Sequence, residues 1–163
     1  MDRRWEEALL PFVLDASAAL EAAFDDESGV VGNAVADRLA SDSAYVPSLW
    51  FSELVHALLQ AVRHDRLSLE GARAMLAAIA DCSITALPEH LEARTLLDLV
   101  HRTGLSAYDA SYLLLAVDMG LELATCDRQL CAAAERVGVV CIQRVKSPDR
   151  LTHDAYRCYK STE

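Results

Sequence analysis

The hydrophobic positions of the chain form short apolar runs that are separated by longer segments with helical spacing. The first run, residues 11–15, ends in the carboxylate of Asp15 and is followed at once by an alanine-rich segment that favours a helix. Further runs of this kind predict strands at residues 44–47, 83–87, 121–125 and 139–142. Helices between short strands predict an α/β fold, specifically a three-layer α/β/α sandwich with a short central parallel sheet.

The longest amphipathic segment covers residues 49–64 and predicts a long helix. Glu53 lies near its start, away from the densest apolar positions. Those positions recur at helical spacing and form the predicted packing stripe of Phe51, Leu54, Val55, Leu58 and Val62. Two later helices are predicted to end at Gly104 and Gly120, because glycine tolerates the backbone that terminates a helix.

The length of 163 residues fits one domain. We expect an N-terminal extension over residues 1–10, a domain over residues 11–143 and a C-terminal tail over residues 144–163. No apolar run approaches the roughly 20 residues that a membrane-spanning helix needs. The acidic start of the chain also lacks the basic start and apolar core of a secretory signal. We therefore expect a soluble, cytoplasmic protein with no membrane contact.

The cysteines and histidines do not form a metal-binding pattern. Five cysteines are scattered without a CxxC pair, and their odd number is a poor disulfide framework. The five histidines show no HExxH spacing. The sequence therefore predicts reduced thiols and argues against a zinc site.

Four acidic residues stand where predicted strands end or predicted helices begin. Asp15 closes the first strand, and Asp127 follows the strand at residues 121–125. Asp109 lies in the first turn of the helix before that strand, and Glu53 lies early in the longest helix. Ligands of an open parallel sheet collect at the carboxyl ends of its strands. These acids are therefore candidate site residues.

Each acid also has a purely structural interpretation. Asp15 and Asp127 can cap the helices that follow them, and Ser106 with Asp109 resembles a capping box. Glu53 can simply face solvent. The positions of the acids, taken one at a time, leave both interpretations open.

The segments around the four acids together resemble a PIN domain of the VapC toxin type. They read VLDASA at residues 13–18, PSLWFSEL at 47–54, LSAYDA at 105–110 and LATCDRQL at 123–130. Their order and spacing agree with that family, and the resemblance runs from about residue 12 to about residue 142. The chain differs from many relatives because it has additional residues before the first predicted strand and after the last one.

The resemblance implies a metal-dependent endoribonuclease that is the toxin of a toxin–antitoxin pair. The implied cofactor is Mg²⁺, with Mn²⁺ as a substitute, and such hard cations prefer oxygen ligands. Ser17 and Thr125 correspond to hydroxyl residues that support the acids in the family. The resemblance assigns the catalytic and metal-binding roles to Asp15, Glu53, Asp109 and Asp127.

The implied partners are an RNA substrate, a cognate antitoxin protein and a second copy of the chain in a homodimer. The formal charge of −10 opposes phosphate binding over most of the surface. RNA binding then has to depend on a groove shared by two subunits or on local cations. The candidate cations near the predicted site are Arg63, Arg66, Arg102 and Arg128.

Two other classes of protein need residues that this chain lacks. A haloacid-dehalogenase-like phosphatase needs a second Asp two residues after the first, where this chain has Ser17. A receiver-like domain needs a late lysine in its core, whereas the only lysines are Lys146 and Lys160. The alternative that stays open is a non-catalytic PIN-fold binding scaffold.

Overall fold

The computed structural model describes residues 11–24, 29–88 and 92–142. The predicted N-terminal extension and C-terminal tail lie outside the described residues, so their boundaries stay predictions. In chain order the described elements are β1 (Phe12–Leu14), α1 (Ala16–Ala23), α2 (Val30–Leu39), β2 (Ala44–Pro47), α3 (Trp50–Arg63), α4 (Leu69–Ala80), β3 (Ile84–Leu87), α5 (Ala93–Thr103), α6 (Ala107–Met119), β4 (Glu122–Ala124) and α7 (Arg128–Arg136).

The strands form one parallel sheet in the order β3-β2-β1-β4. Phe12 of β1 pairs with Ala44 of β2 on one side and with Glu122 of β4 on the other. The chain first builds outward from β1 to β3 and then returns to add β4 on the opposite side of β1. The connections therefore diverge between β1 and β4, which is where an open α/β sheet usually binds its ligand.

Helices cover both faces of this sheet. Phe12, Val13 and Leu14 of β1 are all fully buried. Successive side chains of a strand point to opposite faces, so complete burial of all three requires packing on both sides. Helix α6 packs against β1, β2 and β4. The predicted three-layer α/β/α arrangement is confirmed.

The packing face of α3 differs from the predicted stripe. Leu54 and Leu58 are buried as predicted, but Phe51 is 50% exposed and Val55 is 42% exposed. Trp50, which lay outside the predicted stripe, is fully buried instead. The helix is rotated toward its bulkiest side chain, because burying an indole removes more apolar area from water than burying a valine. The prediction was wrong at Phe51 and Val55.

The predicted last strand, residues 139–142, is reduced to a single parallel bridge between Leu123 and Cys141. The amide of Leu123 donates to the carbonyl of Val140, and the amide of Ile142 donates to the carbonyl of Leu123, each at 2.9 Å. The segment therefore lies against β4 as expected, but its regular pairing is shorter than the apolar run suggested.

Gly104 and Gly120 end α5 and α6 as predicted. Their φ angles are 73° and 64°, in the left-handed region where a side chain is unfavourable. Within the part of the chain that the structure describes, no helix is both long enough and apolar enough to cross a bilayer.

Candidate metal centre

Asp15 lies directly after β1, at the edge of the sheet where the connections diverge. Asp15 is only 8% exposed. Its backbone amide continues the pairing with β4 by donating to the carbonyl of Ala124 at 2.9 Å. The Oδ2 atom of Asp15 accepts hydrogen bonds from the hydroxyls of Ser17 and Thr125, the second at 2.7 Å. Although Asp15 occupies the N-cap position of α1, its side chain does not cap that helix. The carboxylate is instead held between β1 and β4.

The surroundings of Asp15 oppose its ionisation. Burial raises the pKa of Asp15, and the negative charge of Asp109 raises it further. The hydrogen bonds from Ser17 and Thr125 act in the opposite direction because they stabilise the carboxylate. A buried, repelled carboxylate that is already oriented by two donors is a group that a bound cation would stabilise.

Glu53, in the first turn of α3, does not face solvent. It is half-buried and accepts a hydrogen bond from the hydroxyl of Tyr112, a buried residue of α6. Burial raises the pKa of Glu53 most, the charges of Asp15 and Asp109 raise it further, and the Tyr112 hydrogen bond lowers it. The solvent interpretation of Glu53 was wrong.

Tyr112 was missed by the sequence reasoning. The signal was available, because Tyr112 stands three residues after Asp109 on a predicted helix and residues at that spacing share a face. Burial and the hydrogen bond to Glu53 raise the pKa of Tyr112 far above its ordinary value. Tyr112 therefore stays protonated and acts as a hydrogen-bond donor that orients Glu53.

Asp109 forms the capping box that its structural interpretation predicts, and its role as a metal ligand stays a prediction. Ser106 caps α6 by accepting from the amide of Asp109 at 3.1 Å, and its hydroxyl donates to Oδ2 of Asp109 at 2.6 Å. The charge of Asp109 nevertheless reaches both Asp15 and Glu53 and raises the pKa of each. Asp15, Glu53 and Asp109 are thus one mutually repelling group.

Asp127 caps α7, as its structural interpretation predicts. Its Oδ1 atom accepts from the amides of Gln129 at 2.6 Å and Leu130 at 3.1 Å. The link to the other acids runs through Thr125, whose hydroxyl oxygen accepts from the amide of Asp127 at 3.0 Å and donates to Asp15. A role for Asp127 as a metal ligand stays a prediction.

Ser17 joins α1 to the segment after β4. Its hydroxyl oxygen accepts from the amide of Cys126 at 3.0 Å while it donates to Asp15. The thiol of Cys126 lies 2.6 Å from Oε2 of Glu21. Burial and that contact raise the pKa of Cys126 to about 12, so its thiol stays neutral and is a poor nucleophile. Cys126 is therefore not a candidate nucleophile.

The donor set fits a hard divalent cation in a water-rich shell. Within residues 11–24, 29–88 and 92–142, no three His, Cys, Asp or Glu side chains converge closely enough to enclose a metal by themselves. Mg²⁺ is usually held by one or two carboxylates, with water and substrate phosphate oxygens completing the octahedron. The three mutually repelling acids supply ligands of that kind and would gain most from the added positive charge.

The four predicted arginines lie on α3, α5 and α7 and in the connection between α3 and α4. Arg66 lines a cleft that opens beside Ser17. Arg102 is exposed, and its Nε donates to the carbonyl of Asp98 at 3.3 Å. Arg63 ends α3 and Arg128 begins α7, and both are exposed.

Residues 12–136 match the PIN domain family, and this range contains all four acids. The chain belongs to the PIN-domain family. Two curated relatives, the VapC ribonuclease Mb0985 of Mycobacterium bovis and the ribonuclease VapC9 of Mycobacterium tuberculosis, are each 34% identical to this PIN domain protein over 118 residues. The alignments cover 72% of this chain and 87% of each relative.

A solved PIN-like neighbour has the same overall fold. The crystal structure of PAE2754 from Pyrobaculum aerophilum superposes with a TM-score of 0.62 at 25% sequence identity. The superposition covers 82% of this PIN domain chain and 84% of that one. The predicted family and fold are thereby confirmed.

Proposed function

We propose that this PIN domain protein is a divalent-metal-dependent endoribonuclease and the toxin of a toxin–antitoxin pair. The observation that carries the proposal is the environment of Asp15, which is buried, held by Ser17 and Thr125, and repelled by Asp109. The names of the VapC relatives support ribonuclease activity. Mg²⁺ is the proposed cofactor, with Mn²⁺ as a substitute.

Asp15, Glu53, Asp109 and Asp127 would hold the cation, in part through its bound waters. A bound divalent cation supplies Lewis acidity, which lowers the pKa of water and neutralises charge on a phosphodiester. The hydroxyls of Ser17 and Thr125 keep Asp15 oriented, and the hydroxyl of Tyr112 keeps Glu53 oriented. Donors of this kind fix the geometry of ligands and tune the metal that they hold.

The proposed partners follow from the same acidic site. A cognate antitoxin can silence the enzyme by placing an arginine among the carboxylates, because a guanidinium forms strong paired hydrogen bonds with them. A homodimer would add cations from a second copy to the RNA-binding groove. This matters for a chain whose formal charge is −10.

The proposal is tested by incubating the purified protein with a mixed pool of RNA and Mg²⁺ or Mn²⁺. Parallel reactions contain EDTA, the Asp15→Asn variant or the Asp118→Asn variant, which changes an exposed aspartate of α6. We expect cleavage by the parent and by Asp118→Asn, with none in EDTA or with Asp15→Asn. Equal cleavage in all reactions would indicate a contaminating nuclease. The protein is a binding scaffold if the parent does not cleave the RNA pool and if the parent and Asp15→Asn have the same effect on cell growth.

A further inference from the structure

A cleft of about 620 Å³ opens beside the acids, between α1 and α3. Both helices begin at the acidic edge of the sheet, α1 directly after Asp15 and α3 with Glu53 in its first turn. Ser17 and Cys126 line the cleft and also belong to the hydrogen-bond network of the acids. The cleft therefore shares these two residues with the surroundings of the candidate metal centre, and its volume is typical of a small-ligand site.

One wall of the cleft is a row of polar side chains on α3. His56, Gln60 and His64 line it at four-residue spacing, and Arg66 lies just beyond them. The rise of a helix puts His64 about 16 Å from Glu53 along α3. Gln60 Nε2 lies 3.5 Å from His56 Nε2, so the amide and the imidazole act as one polar pair. The row leads directly away from the acids.

The facing wall is apolar and includes Leu20 of α1 and Phe24, the residue directly after α1. Glu21 is the carboxylate among the lining residues, and its Oε2 is already engaged by the amide of Gly32 at 3.1 Å and the thiol of Cys126. The remaining polar lining consists of the hydroxyl of Ser17, the thiol of Cys126 and the imidazole, amide and guanidinium groups of the opposite wall. Arg66 and Glu21 carry opposite formal charges, so the cleft is close to neutral in a chain whose formal charge is −10.

We infer that the cleft binds one unpaired nucleotide of the RNA, next to the bond that is cleaved, and that His56 and Gln60 recognise its base. The inference rests on the proposed function and names a specificity-determining part of the same site. Unpaired bases are recognised by stacking on flat side chains and by hydrogen bonds to their edges. An imidazole offers the first contact, and a glutamine amide offers both a donor and an acceptor for the second.

The two walls together favour a nucleotide over a peptide segment of a partner. The apolar wall with Phe24 can take the face of a base, and the imidazole of His56 and the amide of Gln60 can bind its edge. A nucleotide uses both walls, whereas an apolar peptide segment would use the α1 wall and leave the polar row of α3 unmatched. The adjoining acids also place the cleft where the RNA chain must continue.

Binding is measured in the Asp15→Asn background with Mg²⁺, by fluorescence anisotropy of labelled single-stranded RNAs of about six nucleotides that differ only in one base. His56→Ala and Gln60→Ala are compared with His101→Ala, which removes an exposed histidine of α5 outside the cleft. We expect His56→Ala and Gln60→Ala to weaken binding roughly tenfold and to reduce the preference among bases. His101→Ala should bind like the background protein.

The outcomes separate this inference from the proposed function. RNA affinity that is unchanged by His56→Ala and Gln60→Ala, or absent from the start, overturns the inference even if the parent cleaves RNA. Unchanged RNA affinity with loss of antitoxin binding overturns it too and assigns the cleft to a protein partner. If the parent cleaves no RNA but the base preference depends on His56, the proposed function fails and the nucleotide site stands. If a variant unfolds, photo-cross-linking of 4-thiouridine RNA to the parent protein replaces the binding assay. The inference requires that the cross-links label residues of α1 or α3, and cross-links elsewhere overturn it.

Discussion

The hydroxyl of Thr125 lies 2.7 Å from Oδ2 of Asp15, although 110 residues separate them in the chain. The contact exists because β4 pairs with β1 in parallel and brings the ends of both strands to one edge. The same hydroxyl oxygen accepts from the amide of Asp127. Thr125 thus connects the first acid of the site to the last.

Replacing Thr125 by Val should lower RNA cleavage by about tenfold to a hundredfold, the usual effect of removing a group that orients a metal ligand. The hydroxyl helps to lower the pKa of Asp15, so its loss should raise that pKa further. The acidic limb of the profile of kcat/KM against pH should therefore move to higher pH. Thr85→Val, at an exposed position of β3, is the matched control. A profile that coincides with that of the control contradicts the proposed role.

Replacing Tyr112 by Phe removes the donor to Glu53 and keeps the buried ring. We expect the free energy of unfolding to fall by about 1 kcal/mol, as for a typical hydrogen bond, and the metal affinity to fall as Glu53 loses its orientation. Chemical denaturation and calorimetric titration with Mn²⁺ measure the two effects. Tyr108→Phe, on the exposed side of the same helix, should change neither quantity. If Tyr112→Phe also changes neither, the contact with Glu53 has no role.

The Asp15→Asn variant should be more stable than the parent at neutral pH without metal. The pKa of Asp15 is raised above 3.8 on folding, so the stability linked to this group is present below that value and is lost as the pH rises through the folded pKa. Asparagine does not ionise, so the variant does not bear the cost of a buried negative charge. We expect Tm to rise by about 2–4 °C, which corresponds to roughly 1 kcal/mol in a domain of this size.

The gain in Asp15→Asn should shrink as the pH falls toward 3.8, because the parent carboxyl is then protonated as well. Saturating Mn²⁺ should reverse the order of stability, since binding to the native parent stabilises it by about 2.7 kcal/mol when the metal is at a hundred times Kd. Thermal unfolding with Mn²⁺ and with EDTA tests both statements. Parent curves that are identical in the two solutions would mean that the acids do not bind the metal.

Gly32→Ala should destabilise the protein by about 1–3 kcal/mol through overpacking. A Cβ at position 32 would lie 2.7 Å from the backbone carbon of Glu21, which cannot move without shifting α1 against α2. Gly71→Ala is the matched control, because its Cβ would meet side-chain atoms of Leu67 and Ser68 and no backbone atom within 3.4 Å. The control should gain up to about 1 kcal/mol from helix propensity. Equal effects of the two substitutions would show that the packing of α1 on α2 is loose.

The sequence determined the elements and the positions of the acids. Short apolar runs and helical spacing are local signals, and they predicted the strand of Asp15 and the helix of Asp109. The glycine ends of α5 and α6 were equally predictable, because a left-handed residue is a local requirement of the backbone. The motifs around the four acids together also identified the family, which the match over residues 12–136 confirms.

Only the tertiary structure decided which groups touch. The hydrogen bonds that Asp15 accepts from Thr125 and Glu53 accepts from Tyr112 depend on strand order and on the rotation of α3. Helical spacing correctly predicted α3, but it wrongly placed Phe51 in the core. The spacing of apolar residues does not show which of them another element will cover. The cleft between α1 and α3 likewise arises from packing between elements that are far apart in sequence. Such contacts are properties of the assembled sheet and helices, and no local pattern encodes them.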